Sequence, residues 1–467
     1  MKYCLRLSFW GFFSFFLTLS SLSQIQALDV SWEGYFRTRA NSNYNLDMDR
    51  DSTPQMRNFT DMRFRLNPSF FISDKVRIRS SLNFFDGVLG QNPRLQSSYN
   101  NPALTNNRLI DPSETNTVVG VASSPEGMTD SADLTPIMLR RVWGEFDTPY
   151  GTLKVGRMPN HFGLGIFANA GDSPDQEMGS SRDRILFDTS FGPYYVRPGL
   201  GWLVEGALDR GRDDFLEYFF IFGRKTEIQD IGFYLSFNQQ NRSTDALGAE
   251  GLDIKTAYWA FDFYFQNQFD AVNLSTEVVL LSGKYVNKNI LALNAAARAE
   301  FKFGGDRWKL LLEPGYSSGS SESDLADGDL KTYAFSRDYD VSLIVFEEAL
   351  PGGINTQSSN GTPTAGATAP HSGAISNAFY GRLKLSYDAT SYFKPSINII
   401  VPMAAKIPTG AGSRFYGVEY DLITDWPFMK YWSAQLALGH FIPSGFYNGV
   451  SRSHSVLVMR GGVTAQF

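Results

Sequence analysis

Apolar and polar residues alternate along much of this chain of 467 residues. The stretch "WEGYFRTR", which begins at Trp32, and the stretch "VRIRSSLNFF", which begins at Val76, alternate in this way. Successive side chains of a β-strand point to opposite faces of a sheet, so each stretch predicts a strand with one apolar and one polar face. A strand of about ten residues is long enough to cross a lipid bilayer when it is tilted.

Short and long connections alternate between the predicted strands. We expect eight tight turns, at residues 72–75, 148–151, 191–193, 225–229, 267–269, 304–306, 389–391 and 427–430. Nine longer or more polar loops lie between them, at residues 41–57, 88–135, 159–182, 209–213, 241–251, 286–289, 319–374, 406–412 and 445–452. These 17 connections predict 18 strands. If the irregular strand "DRILFDTSF" at 183–191 and its neighbour are left out, the alternative count is 16.

This rhythm predicts an all-β protein. Short turns on one side and long loops on the other are typical of bacterial outer-membrane barrels. We therefore expect residues 28–467 to form a membrane-spanning, antiparallel, up-and-down β-barrel. Its long extracellular loops are expected at 88–135, 159–182 and 319–374. The alternative architecture for such a sequence is a large secreted β-sandwich or β-helix.

The N-terminus has the layout of a secretory signal peptide. Lys2 and Arg6 precede the apolar stretch "LSFWGFFSFFLTLSSLS", and the small residue Ala27 follows it. We predict cleavage after Ala27, which removes residues 1–27 and exports the protein to the outer membrane of a Gram-negative cell. Cys4, the only cysteine, lies in this segment, so the mature protein is expected to form no disulfide.

Composition favours a membrane barrel and argues against one class of partner. Aromatic residues make up 15% of the chain, with 38 Phe and 22 Tyr, and outer-membrane lipid is the expected partner of such a surface. Without Lys2 and Arg6 the chain has 40 basic and 48 acidic residues, a net charge of −8. This acidic balance disfavours binding to nucleic acid.

Arginines recur at every second position of the early strands. An arginine that faces lipid at mid-depth costs about 2–4 kcal/mol, so we expect these side chains to face the interior of the barrel. Those of the hairpin "MRFRLNPSFFISDKVRIRS" are expected side by side. Guanidinium groups bind carboxylates and phosphates well. The predicted pore-lining, anion-binding residues are Arg37, Arg39, Arg63, Arg65, Arg77, Arg79 and Arg141.

The opposite interpretation of the arginines is that interior acids neutralise them. Candidate acids occur on the same predicted face of several strands: Glu33, Glu145, Asp147, Glu205 and Glu217. One charged wall does not by itself set the net field of a pore. Both interpretations stay open at the level of the sequence.

Residues 139–166, "LRRVWGEFDTPYGTLKVGRMPNHFGLGI", carry a resemblance to a known group. The segment is similar to the porin hairpin that ends in a G-x-L-x-V-G-R strand and continues into a long loop with glycines. Together with the arginine-rich early strands, it resembles the alginate-export group of outer-membrane barrels. That resemblance covers about the first third of the chain and implies a passive, arginine-lined conduit for an anionic saccharide or related anion.

The C-terminal stretch, "SHSVLVMRGGVTAQF", carries a second resemblance. It is similar to the last strand of outer-membrane barrels, which ends in an aromatic residue used during barrel assembly. The resemblance implies that the barrel-assembly machinery recognises Phe467.

Two loops are candidates for narrowing the pore. In loop 159–182, Gly163 and Gly165 permit a sharp inward fold. In loop 319–374, "YDVSLIVFEEAL" spaces its apolar residues like a short helix. We expect the apolar face of this helix to be buried at the mouth of the barrel. The alternatives are that it packs on neighbouring loops outside or that the segment is itself a strand.

Catalytic and metal chemistry find little support in the sequence. The four histidines, His161, His371, His440 and His454, fall in different hairpins without a nucleophile motif beside them. The acidic stretches "DMDRD" and "ESDLADGD" lack the spacing of a dedicated calcium loop. We therefore expect a non-enzyme with no cofactor and no metal site.

The function predicted from the sequence is passive passage of small hydrophilic solutes through an outer-membrane porin. The interior arginines would bias that passage towards anions or anionic saccharides. The alternatives are an adhesin or receptor that acts through its outer loops and, less favoured, a barrel hydrolase.

Overall fold

A computed structural model describes residues 29–46, 48, 56–89, 137–204, 214–240, 256–285, 288–348, 350, 374–407, 411–450 and 454–467. The predicted signal peptide and nearly all of loop 88–135 lie outside these residues. None of the helices in the described ranges is long and apolar enough to cross a membrane.

Eighteen long antiparallel strands in the described residues close into a β-barrel. Each strand of the wall pairs with the next one, and the last strand pairs with the first from Tyr35–Gln466 to Tyr44–Leu457. The wall strands are β1 (Asp29–Tyr44), β2 (Met56–Ser73), β3 (Val76–Val88), β4 (Met138–Thr148), β5 (Gly151–Pro159), β6 (Ser181–Phe191), β7 (Tyr194–Val204), β8 (Phe215–Lys225), β9 (Gln229–Gln240), β10 (Thr256–Phe269), β11 (Val272–Tyr285), β12 (Lys288–Phe303), β13 (Trp308–Ser317), β15 (Ala378–Tyr387), β16 (Lys394–Ala404), β17 (Gly417–Met429), β18 (Trp432–Pro443) and β19 (Val456–Gln466).

The prediction of an 18-stranded barrel is confirmed, and the alternative count of 16 is wrong. The irregular stretch at 183–191 is part of β6. The remaining strand, β14 (Asp329–Leu330), has two residues and pairs in parallel with β12. It belongs to a long connection and not to the wall.

Two predicted turns are misplaced by a few residues. β10 continues through the predicted turn at 267–269 as far as Phe269, and β17 continues through the predicted turn at 427–430 as far as Met429. The first of these hairpins turns at Asp270, which has a positive φ of 29°. Polar residues such as Gln268, which pairs with Asn273 on β11, occupy interior positions at the end of the strand, so their polarity does not mark a turn.

The burial pattern of the wall is the reverse of that in a soluble protein. Large apolar side chains face outward, such as Ile397, which is 50% exposed. Charged side chains face inward, such as Arg65, which is 1% exposed. This arrangement fits a barrel with lipid outside and polar groups inside. We call the end with the short turns the turn end and the end with the long connections the loop end.

Helical structure in the described residues is limited to short segments. They include α1 (Glu322–Ala326) and a 3-10 helix (Gly445–Val450). The predicted helix in "YDVSLIVFEEAL" is wrong, because this segment forms a single turn in which Glu347 and Glu348 both donate their backbone N–H to the Ile344 carbonyl. Its apolar residues are nevertheless buried, because they pack against other apolar side chains inside the barrel.

Candidate functional site: two loops inside the barrel

The predicted arginines lie on the interior face of the wall, but they form two groups. Arg37 is opposite Arg63 in the register of β1 and β2, whereas Arg79 is opposite Ser69 in the register of β2 and β3. The expectation that the four arginines of the hairpin lie side by side is therefore wrong. In a hairpin, residues equally far from the turn face each other, and Arg63 lies much farther from the turn than Arg79. The first group contains Arg37, Arg39, Arg63, Arg65 and Arg141, and the second contains Arg77 and Arg79.

A sixth arginine of the first group was missed by the sequence analysis. The register of β3 and β4 shifts between Ser81 and Leu82, which marks a β-bulge. A bulge places two consecutive residues opposite one, and here both Arg140 and Arg141 are buried. Strict alternation predicted that only Arg141 faces inward.

Interior carboxylates pair with several of these arginines. Asp61 accepts hydrogen bonds from Arg37 (2.8 Å) and Arg39 (3.0 Å), and Asp86 accepts one from Arg63 (2.7 Å). These two acids were not among the predicted ones. Neutralisation is therefore extensive within the first group.

The acids that were predicted to neutralise the arginines differ in the partners with which they pair. Arg77 pairs with Glu145 (3.0 Å) and Asp147 (2.9 Å), and Arg79 pairs with Glu145 (3.1 Å) through Nε. Glu217 pairs with Arg184 instead (2.8 Å). Glu205 lies outside the described residues. Arg79 stays the most open of the predicted arginines that form ion pairs, with 41% of its side chain exposed.

The remaining donors of the first group hold a loop. Loop A is defined as residues 160–180, between β5 and β6. Its backbone carbonyls accept hydrogen bonds from Arg37 (at Pro174, 2.6 Å), Arg63 (at Gln176, 2.7 Å) and Arg65 (at Gly171, 2.9 Å). A guanidinium satisfies several acceptors at once, so the ladder that we predicted to bind solute binds the protein's own backbone to a large extent.

Arg39, Arg140 and Arg141 complete this attachment. Arg140 donates to the Met178 carbonyl (3.0 Å), and Arg141 contacts Asp172 (2.5 Å) and the Ala170 carbonyl. Arg39 pairs with Glu177. Loop A is thus fixed to the interior of β1, β2 and β4.

The other end of loop A is fixed to the opposite wall. Glu277 on β11 accepts hydrogen bonds from the backbone N–H groups of Gly165 (2.9 Å), Ile166 (3.4 Å) and Phe167 (3.1 Å). β2 and β11 are nine steps apart in a ring of 18 strands, and so lie on opposite sides of the barrel. Loop A therefore crosses the interior, as its glycines allowed us to predict.

A second loop lies against the remaining wall. Loop B is defined as residues 331–348, which precede β15. Glu419 on β17 accepts hydrogen bonds from the backbone N–H groups of Leu343 (2.8 Å), Ile344 (2.8 Å) and Val345 (2.7 Å). On β13, Glu313 accepts a hydrogen bond from the Tyr339 hydroxyl (2.7 Å). Loop B is thus held by the interior of β13 and β17.

The two loops meet inside the barrel. The Asp338 carboxylate of loop B accepts backbone hydrogen bonds from Glu177 (2.9 Å), Met178 (3.0 Å) and Gly179 of loop A. Ser336 also donates its backbone N–H to the Ile166 carbonyl (2.7 Å). The loops therefore form one continuous partition from the wall at β1–β4 to the wall at β17.

Part of this partition is an apolar core. Ile344, Val345 and Phe346 of loop B are fully buried, and they belong to a cluster that also contains Ile166 of loop A. Interior wall residues such as Phe441 join it. These side chains are shielded from solvent, so this part of the barrel interior is filled by protein.

Exposed charges remain on loop A and loop B. The side chains of Asp172 and Glu177 are 61% and 52% exposed. Burial within the barrel and the negative charge of Asp338 raise the pKa of Asp340 to about 7. The Asp340 side chain reaches interior water, which screens part of this effect. The interior thus has acidic as well as basic surface.

The two acidic stretches that were weighed against calcium binding either make other contacts or lie mostly outside the described residues. In α1, the Asp324 carboxylate caps the helix through Ser321 and pairs with Lys331 (2.6 Å). Most of "DMDRD" is outside the described ranges. Within those ranges no group of three or more His, Cys, Asp or Glu side chains is arranged to hold a metal ion.

Comparison with known proteins identifies the fold. No protein-family model and no curated protein matches the chain. Among solved structures, OccK11 (OpdR) of Pseudomonas aeruginosa has a TM-score of 0.53 at 10% identity, over 94% of this chain and 96% of that chain. OccAB3 of Acinetobacter baumannii has a TM-score of 0.52 at 10% identity, over 94% and 100%. OpdQ of Pseudomonas aeruginosa has a TM-score of 0.51 at 10% identity, over 94% and 98%. The chain therefore has the fold of Gram-negative outer-membrane porins.

Proposed function

We propose that this protein is an outer-membrane channel through which small hydrophilic solutes diffuse passively. The observation that carries the proposal is a closed 18-stranded wall with charged side chains inside and apolar side chains outside. A barrel of this size is wide enough for an aqueous interior. The two inward loops reduce that interior, which favours a narrow channel for small solutes. The proposed activity needs no catalytic residue and no cofactor.

The distribution of outward charges supports a membrane location. On the described strands, the outward charged side chains lie within two residues of a strand end: Arg157, Asp183, Arg224 and Lys284. An arginine or lysine that faced lipid at mid-depth would cost about 2–4 kcal/mol, and this cost falls towards the interfaces. The outward surface between the strand ends is thus suited to lipid.

The C-terminus supports the proposed route into that membrane. Phe467 exchanges backbone hydrogen bonds with Gly34 on β1 (2.9 and 3.1 Å), and its ring lies 6.3 Å from that of Phe64. Its side chain is nevertheless 49% exposed. We propose that the barrel-assembly machinery contacts this aromatic end after export by the predicted signal peptide.

We further propose that the bias towards anions depends on the second arginine group. Arg79 bonds to Glu145 through Nε, and 41% of its side chain is exposed on the interior face. The first group is largely engaged by loop A, as described above. The exposed Asp172 and Glu177 oppose this bias, so we expect a weak preference for anions or anionic saccharides and not an exclusive one.

Conductance across a planar bilayer tests the proposal. The purified barrel is expected to conduct in symmetric KCl and to admit small sugars in a liposome-swelling assay. A KCl gradient is expected to give a reversal potential that favours chloride modestly. Absence of any conductance from correctly folded protein would refute the channel, and a reversal potential that favours potassium would refute the anion bias alone.

A further inference from the structure

A single residue of loop B makes most of the polar contact between the two loops. Besides the three backbone N–H groups of residues 177–179 at its carboxylate, the Asp338 carbonyl accepts hydrogen bonds from Asn169 Nδ2 (2.9 Å) and Gln176 Nε2 (3.0 Å). Asp338 is only 4% exposed. A buried carboxylate is costly unless donors surround it, and here loop A supplies those donors.

The backbone of loop A is shaped to receive this carboxylate. Gly171 and Gly179 both have positive φ values (64° and 63°) and face each other across the neck of the loop. A Cβ on Gly171 would overlap both the Gly179 backbone and the Asp338 carboxylate. The side chain of Asp338 therefore occupies space that a side chain at position 171 would fill.

Each loop has its own attachment to the wall, independent of Asp338. Glu277 and the first arginine group hold loop A, and Glu419 and Glu313 hold loop B. Loss of the Asp338 contact would therefore leave both loops attached at their roots. Without its carboxylate, the two hydrogen bonds to the Asp338 carbonyl and the backbone hydrogen bond from Ser336 to Ile166 would remain as polar links between the loops.

We propose that Asp338 is the positioning residue that joins loop A and loop B into one rigid partition and so sets the size limit for passage. This inference rests on the proposed channel function. Charge-assisted hydrogen bonds to three consecutive N–H groups fix the position of loop A better than neutral contacts do. When the contact is removed, loop A can shift against loop B, and the space beside the partition widens.

The test is the substitution D338N, which keeps the size of the side chain but replaces one acceptor oxygen with an N–H donor. We expect D338N to admit a larger saccharide than the native channel does in a liposome-swelling assay. Hydrogen exchange at residues 177–179 is expected to accelerate at least tenfold. The matched control is D388N, because Asp388 lies near a turn between β15 and β16 and pairs with Lys309 at 3.3 Å.

A second variant keeps the test decisive if D338N does not fold. Q176A removes one hydrogen bond to Asp338 (3.0 Å) and is expected to change the same two measurements in the same direction by a smaller amount. Unchanged exchange at residues 177–179 and an unchanged size limit in the folded variant would overturn the proposal. If the native protein does not conduct but D338N still accelerates exchange in loop A, the channel function fails while the joining role of Asp338 stands.

Discussion

Glu419 on the barrel wall accepts a 2.7 Å hydrogen bond from the backbone N–H of Val345 in loop B. The same carboxylate accepts the N–H groups of the two preceding residues, and Glu277 on β11 binds three consecutive N–H groups of loop A in the same way. Glu277 and Glu419 are both fully buried. Each inward loop is therefore bound, among its other attachments, by a buried wall carboxylate that accepts three consecutive backbone N–H groups.

Removal of the Glu419 carboxylate is expected to release loop B. E419A leaves three backbone N–H groups without their acceptor, and each unsatisfied buried group costs about 1–3 kcal/mol. Hydrogen exchange at residues 343–345 is expected to accelerate at least tenfold, while the barrel wall stays protected. The control is E300A, since Glu300 is an interior acid near the turn end of β12. Equal exchange in E419A and E300A would show that Glu419 does not hold the loop.

Removal of Arg79 is expected to weaken the preference for chloride. A unit charge about 8 Å from the ion path in water contributes about 0.5 kcal/mol, and salt screening lowers this to about 0.25 kcal/mol. The sign is opposite for chloride and potassium, so R79A is expected to lower the permeability ratio of chloride to potassium by about twofold. The measurement is the reversal potential in a KCl gradient. R224A, which removes a positive charge from the outward face, is expected to have no effect. A ratio that responds equally to both substitutions would place Arg79 away from the ion path.

Gly179 is expected to tolerate no side chain. Its φ of 63° costs an alanine about 1–2 kcal/mol, and a Cβ would also overlap the Arg140 guanidinium and the Ala170 carbonyl. The matched control is G192A, because Gly192 has a φ of 58° and open space around it. We expect G179A to lower the free energy of unfolding in urea by about 1–3 kcal/mol more than G192A does. Equal losses would mean that the neck of loop A adapts to the added methyl group.

The ion preference is expected to depend on pH through Asp340. Its raised pKa, about 7, means that the carboxyl is neutral well below pH 7 and ionised above it. Burial, Asp338 and Glu177 favour the neutral form, whereas the hydrogen bond with Glu347 and the charge of Arg460 oppose it. The preference for chloride should therefore decline between pH 6 and pH 8 in reversal-potential measurements. D340N is expected to remove this dependence, and an identical pH profile in D340N would assign it to another group.

The same raised pKa has a consequence for stability. An acid whose pKa is higher in the folded protein stabilises the fold below its unfolded pKa, and this contribution is lost as the pH rises through the folded value. Loop B is thus expected to be more protected from hydrogen exchange at pH 5 than at pH 8. The change should be absent in D340N.

The sequence was sufficient for the wall of the barrel. Alternation with a period of two is a local property of a strand, and the cost of a charge in lipid settles which face points inward. The 18 strands, the interior position of Arg65 and the inclusion of 183–191 in a strand could all be predicted. The position of the turn also determines that Arg63 and Arg79 are not opposite each other, because they lie at different distances from it.

The sequence was not sufficient for the partners of the interior charges. Arg37 and Pro174 are 137 positions apart, and Glu419 and Val345 are 74 apart. An interior glutamate in an alternating strand could be recognised as inward, but no local pattern shows that it will bind the backbone of a distant loop. Arg140 was missed because a bulge interrupts the alternation on which the prediction relied.

The sequence by itself determined that this chain forms a barrel with charged residues inside, because strand periodicity and the cost of burying charge in lipid act residue by residue. Only the tertiary structure decided what those charges do. Closure of the 18 strands brings β2 opposite β11, and this allows loop A to cross the interior between Arg65 and Glu277. The arginines that the sequence suggested for a solute thereby become, for the most part, the attachment of a loop.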